Sequence, residues 1–187
     1  LIGEDSSNTF INGDNNNRGV LINNGGGGLI SGFTVSDCEL SEFEDDEYEY
    51  NGSGIYIGNG SSPVIRDCII KDNEAFGMGG GLYIDNDSHP TIENCIIRSN
   101  ESHEANGGGI YIGNGSSPII KDCLISDNQA YGKGGGMYIG NNSQPVVNDC
   151  IIRSNESQDE GGGIAIFSGA LNTLNFQNLI IHCHRVT

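Results

Sequence analysis

The sequence predicts an all-β solenoid, a coil of short strands stacked turn upon turn, and three observations predict it. First, the stretch Gly109–Gly135, GIYIGNGSSPIIKDCLISDNQAYGKGG, recurs almost letter for letter on both sides. The units run Gly54–Gly80, Gly81–Gly108, Gly109–Gly135 and Gly136–Gly162, of 27, 28, 27 and 27 residues. Such self-similarity marks stacked supersecondary units. Second, each unit holds three apolar bursts, in the third unit Ile110-Tyr111-Ile112, Pro118-Ile119-Ile120 and Cys123-Leu124-Ile125. Runs this short, rich in Ile, Val and Tyr and bounded by Asn, Gly, Ser and Asp, read as strands. Third, no stretch of ten residues carries the 3.6-residue periodicity that helical repeats require. With one unit of three strands per coil, identical positions stack about 4.8 Å apart, and backbone groups pair with the coils above and below. Six to seven coils of about 27 residues then form a rod on the order of 30 Å tall.

Stacking turns the repeat into columns. Ile65, Ile92, Ile120 and Val147 form one aliphatic column, and Ile70, Ile97, Ile125 and Ile152 another; these are the expected core. Cys38, Cys68, Cys95, Cys123 and Cys150 read as a third. Asn73, Asn100, Asn128 and Asn155 form a fourth, and Asn59, Asn86, Asn114 and Asn141 a fifth. Stacked amides can hydrogen-bond along the axis, so both asparagine columns read as ladders rather than ligands. Arg66, Glu93, Lys121 and Asn148 alternate in charge, which reads as register control.

The recurring motif S-x-P-x-[IV]-x-[DN]-C-x-[IV]-x-x-N, followed by GGG-x-Y-I, resembles right-handed parallel β-helix proteins of the pectate-lyase-like superfamily, of the bacterial surface and secreted repeat type. The resemblance covers roughly Gly28 to Ile181, and residues 1–24 are similar to the less regular first coils of such proteins. Right-handedness is what the resemblance implies. It also implies that catalysis has to be weighed, because many such proteins cleave acidic polysaccharides. Lyases of that kind pair calcium-binding carboxylates with an Arg or Lys base, and the related hydrolases cluster aspartates from adjacent coils. Asp67, Asp122 and Asp149 share a column that Asn94 interrupts, yet they belong to the repeat itself. A catalytic site is a departure from the repeat. The departures are an acidic insertion and the end pair His182 and His184, and neither supplies a base, an acid and a cation-binding set. His89 and His103 read as variable turn residues. No catalytic residue is assigned.

Taken in order, the chain reads as one domain, 1–187: irregular N-terminal coils over 1–53, four regular coils over 54–162, and a degenerate coil over 163–187. The insertion Ser41–Gly54, SEFEDDEYEYNGSG, is four residues longer than its counterpart Lys71–Gly80. It carries Glu42, Glu44, Asp45, Asp46, Glu47 and Glu49. That density of hard oxygen ligands suits Ca²⁺, although the spacing matches no EF-hand, and a solvated acidic loop is the competing reading. In the G-x-Y-I strands the flanking residues point inward, which sends Tyr56, Tyr83, Tyr111 and Tyr138 outward as a stripe, a surface for sugar stacking or lateral contact. The competing reading is that the stacked rings rigidify the sheet beneath glycine-rich loops. Ile69, Ile96, Leu124 and Ile151 are also expected to face out. The chain starts inside a coil at Leu1-Ile2-Gly3 and stops after Ile180-Ile181-His182-Cys183 without a polar cap. Flanking sequence or another copy is expected to cover the ends.

Charge excludes one class of partner. With 25 Asp and Glu against eight Lys and Arg, the formal charge of −17 repels a phosphate backbone, so nucleic acid is not expected. No apolar run approaches the roughly 18 residues of a membrane span. The six cysteines read as buried free thiols, with one or two adjacent bridges as the alternative. Zinc and haem are not expected from them, because no CxxC spacing occurs. Seven Asn-x-Ser sequons (Asn51, Asn59, Asn86, Asn100, Asn114, Asn141 and Asn155) fall at expected turns. These readings combine into an extracellular or cell-surface, non-catalytic structural or adhesive solenoid. It would associate with itself end to end or laterally, with calcium and glycans as candidate ligands. A fragment of a polysaccharide lyase or glycoside hydrolase is the alternative.

Overall fold

The computed structural model describes residues 1–40, 50–167, 174–182 and 184–186. Among them every paired strand runs parallel to its equivalent one coil away, in unbroken register: Leu82, Tyr83 and Ile84 lie beside Ile110, Tyr111 and Ile112. The strands collect into four sheets along the axis. The first runs from Val20–Ile22 through Ile55–Ile57 to Ile164–Ile166 and carries the tyrosines. The second includes Val64–Arg66 and Ile119–Lys121, and the third includes Ile69–Lys71 and Leu124–Ser126.

These are the three strands per coil expected. A fourth, of two residues, joins them: Glu39–Leu40, Glu74–Ala75, Glu101–Ser102, Gln129–Ala130, Glu156–Ser157 and Arg185–Val186. It leaves no apolar signature because only one small side chain per strand turns inward. Ala75, Ser102, Ala130 and Ser157 are fully buried, while the preceding Glu or Gln lies half-buried at the surface.

Both aliphatic columns are fully buried and form one continuous core with Ile57, Ile84, Ile112 and Ile139 of the tyrosine sheet. Ile69, Ile96 and Leu124 are half-buried and Ile151 is exposed, as the strand alternation requires. The triple glycines exist because coils touch backbone to backbone. A Cβ on Gly108 would collide with the Gln129 carbonyl, and one on Gly109 would lie 2.6 Å from the Gly136 oxygen. The aspartate column is a corner. Asp67, Asn94, Asp122 and Asp149 have φ of 54°, 51°, 54° and 53°, the left-handed region that Asp and Asn enter most readily among side-chain-bearing residues.

The Asn73 column is the ladder expected. Each Nδ2 donates to the next Oδ1 at 2.9 Å, from Asn73 to Asn100, Asn128 and Asn155, and also to a strand carbonyl such as Ile97 O at 3.0 Å. Backbone N–H groups join in, with Asn100 N donating to Asn128 Oδ1 at 3.0 Å. The ladder does not begin with Asn73. Cys38 N donates to Asn73 Oδ1 at 3.2 Å, and at the far end Asn155 N donates to His184 Nδ1 at 3.3 Å.

That finding corrects the cysteine column. Ser36 and Glu39 flank Cys38 and pair with Lys71 and Glu74, so Cys38 stands in register with Asn73. Phe33 takes the place before Cys68, leaving Cys68, Cys95, Cys123 and Cys150 as the thiol column. The insertion is also longer than expected, because 41–54 bridge the connection that 76–81 bridge in the next coil. The Asn59 column is not a buried amide ladder either. Asn59, Asn86 and Asn114 hold positive φ in a solvent-facing turn, and Asn114 Nδ2 instead donates to Asp85 Oδ2 at 2.9 Å. Of the charge column, Glu93 meets Lys121 at 2.7 Å, but Arg66 turns to Asp67 at 3.6 Å.

The ladder sets a stability test. Asn128→Ala strips partners from buried groups of Asn100, Asn155 and Ile97 at once, at a cost of about 2–4 kcal/mol by the penalty for unsatisfied buried groups. Asn141→Ala, on the exposed turn, should lie within about 0.5 kcal/mol of the parent. Urea unfolding followed by circular dichroism measures both, and equal losses would remove the ladder's special role.

Candidate functional site

The tyrosine rings do leave the core side of their strands, but they do not form an open stripe. Tyr56, Tyr83, Tyr111 and Tyr138 stack at centroid separations of 5.0, 5.1 and 5.4 Å, the last two pairs within 6° of parallel. Tyr56, Tyr83 and Tyr138 are buried and Tyr111 is half-buried. This corrects the expectation of an exposed face: the ring faces are occupied by one another. The outer cover comes from the loops, since a Cβ on Gly58 would lie 2.6 Å from the Tyr56 ring. The Arg18 guanidinium sits 5.1 Å from the Tyr56 centroid at one end. At the other end Ala165 stands in register with Tyr138 and stops the ladder, beside a cavity of about 410 Å³ that Lys133, Glu160 and Phe167 also line.

Asp85 replaces the glycine found at Gly58, Gly113 and Gly140 and is the one buried acidic residue among those described. The Tyr83 hydroxyl donates to its Oδ2 at 2.6 Å. Burial first, then this carboxylate, pushes the Tyr83 phenol above its ordinary range, and burial does the same to Tyr111. An unfolded tyrosine ionises near pH 10, whereas folded Tyr111 keeps its proton. The stabilisation from that neutral phenol is therefore complete below about pH 10 and is lost as pH rises above it, because the unfolded chain then binds fewer protons. Tyr111→Phe should make the fall in unfolding free energy between about pH 9 and 11 shallower, as read from urea titrations at each pH. An unchanged alkaline slope would refute it.

The thiol column is inert by placement. Each Sγ donates to a carbonyl two residues back, Cys95 to Glu93 O at 3.2 Å and Cys150 to Asn148 O at 3.1 Å, and the described cysteines are free and buried. Outside that column, burial pushes the Cys38 thiol up to about 11. The described thiols should react with Ellman's reagent at pH 8 only after denaturation; rapid reaction of any one in the folded chain would contradict this burial.

The structure separates the sequence-derived candidates. Glu42, Glu44, Asp45, Asp46, Glu47 and Glu49 lie outside the described residues. Asp67, Asn94 and Asp122 line a groove of about 410 Å³ with Ser6, where Asn94 Nδ2 donates to Asp67 Oδ1 at 2.6 Å. His184 ends the asparagine ladder, and burial lowers its pKa. Asn100 and Asn155 of the sequon set are buried within that ladder and closed to modification in the folded chain.

One constellation escaped the sequence reading. On the fourth sheet Glu74 and Glu101 are register partners, and the His103 side chain reaches both: Nε2 contacts Glu74 Oε1, and Nδ1 lies 3.7 Å from Glu101 Oε1. One ligand atom from each of the three falls within 4.8 Å of the others. Tyr131 of the next coil sits against the imidazole at 5.5 Å. Desolvation first, with Glu74 adding to it against the opposing pull of His103, raises the Glu101 pKa. The signal was present. Phe76, His103, Tyr131 and Gln158 share a column in which histidine breaks the pattern, two residues beyond a column of glutamates that Gln129 interrupts.

Among the described residues no helix is long and apolar enough to cross a membrane. Neither the curated proteins nor the solved structures include a match to this chain. A family model described as a right-handed beta helix region matches residues 3–185. That span takes in all four sheets and the parallel register just described, and the chain belongs to the right-handed β-helix family.

Proposed function

We propose that the protein is a non-catalytic, extracellular structural or adhesive rod that associates with itself end to end. One observation carries the reading: the recurring polar columns are spent on axial bonding. The asparagines bond to the next asparagine, the tyrosines stack on the next tyrosine, and the Asp67 column forms corners. Chemistry of that kind stiffens a rod.

The end-to-end part draws on the pairing itself: every coil offers its neighbour the same parallel backbone edges in four sheets, so a second copy docked axially would continue those sheets. Calcium at the acidic segment Glu42–Glu49 belongs to the proposal as a charge-neutralising partner, since a chain of −17 otherwise repels its copies. A carbohydrate-active enzyme is the second reading, and the groove over Asp67 and Asp122 is what favours it.

Electron microscopy of the native protein in millimolar calcium, and again after chelation, tests the assembly. Filaments with a subunit repeat of about 30 Å are expected, from about six coils at strand spacing. Isolated rods at high concentration in both conditions would overturn end-to-end association. Cleavage of any member of a panel of acidic glycans would overturn the non-catalytic assignment.

A further inference from the structure

We propose that Glu74, Glu101 and His103 form a binding site for a divalent transition ion of the Zn²⁺ type on the fourth sheet. Parallel in-register pairing forces Glu74 and Glu101 to face each other across adjacent coils. Two like charges at strand spacing repel unless a cation intervenes. Elsewhere this chain supplies a lysine for such positions: Lys121 meets Glu93 at 2.7 Å and Lys133 meets Glu160 at 2.8 Å. Here, among the described residues, the only basic group within 4 Å of either carboxylate is the imidazole of His103. A neutral imidazole offers a nitrogen lone pair rather than a charge, and two carboxylates with one imidazole are a ligand set.

The donors select the class of ion. Zn²⁺ takes imidazole nitrogen and carboxylate oxygen at about 2.0–2.2 Å, and three protein ligands leave a fourth position for water. Tetrahedral coordination needs donor atoms about 3.3 Å apart, and these lie within 4.8 Å of one another. The side chains are 31%, 45% and 32% exposed for His103, Glu74 and Glu101, so small rotations close the gap without disturbing the core. Calcium is disfavoured, because it requires six to eight oxygens and gains little from a nitrogen ligand. Tyr131, packed 5.5 Å from the imidazole, limits its rotation as an outer contact would. The site uses no cysteine, so the missing CxxC spacing does not bear on it. It takes no ligand from the acidic segment.

Isothermal titration of the full chain with zinc chloride, set beside calcium chloride, tests the assignment. One equivalent of Zn²⁺ is expected to bind. His103→Ala, Glu74→Gln and Glu101→Gln should each weaken it by about tenfold or more. All three positions are at the surface, and circular dichroism confirms that each variant is folded. Long-range nitrogen–proton spectra of labelled imidazoles should show Zn²⁺ shifting His103 while His89 stays in place. The proposal is overturned by absence of Zn²⁺ binding at millimolar concentration. It is equally overturned if His103→Ala binds as the parent does, which would place the ion on other carboxylates, or if both glutamine variants bind as the parent does.

Discussion

Parallel, in-register stacking makes each residue the neighbour of its own equivalent, and the rest of this structure depends on that constraint. A residue type survives in a column only if it is a good partner for itself. Isoleucine meets this by packing, asparagine because one amide both donates and accepts, and tyrosine because its ring stacks. Glutamate does not. The chain fills its inward columns with Ile, Asn and thiol, and answers outward carboxylates with lysine at Glu93 and Glu160 and with an imidazole at Glu74 and Glu101.

The same constraint decides which polar residues are open to a ligand. The aspartates between the second and third sheets look like a catalytic row, and their positive φ gives them a second role as the corner of each coil. The tyrosines look like a sugar platform, yet each inner ring has both faces covered by its neighbours. Function on such a scaffold falls to the places where the repeat is broken. Asp85 stands where other coils have glycine, Ala165 where they have tyrosine, and His103 where two of them carry an aromatic ring. Among the described residues, His103 is the one of these three that brings several ligand atoms together.

Ladder ends show how the fold tolerates imperfect copies. The asparagine ladder starts from the Cys38 backbone N–H and finishes on the imidazole nitrogen of His184. One end supplies a donor and the other an acceptor, so the polarity of the amide column is completed by residues that share neither size nor chemistry with asparagine.

The sequence by itself determined the solenoid, the period, the identity of the core columns and the asparagine ladder, because a two-residue alternation repeated at 27 or 28 residues admits one efficient stacking. It also made visible that Tyr56, Tyr83, Tyr111 and Tyr138 align. Only the tertiary structure decided that they are covered, since the rings that close over one another come from coils 27 or 28 residues apart and stack at 5.0–5.4 Å. It likewise moved Cys38 out of the thiol column. Register is fixed by flanking strand pairs, Ser36 with Lys71 and Glu39 with Glu74, and a 30-residue spacing in place of 27 was the single linear trace of that shift. The meeting of Glu74, Glu101 and His103 was beyond linear reading for a related reason. The fourth strand that carries the two glutamates has one small inward side chain and no hydrophobic pattern, and nothing but backbone pairing reveals it.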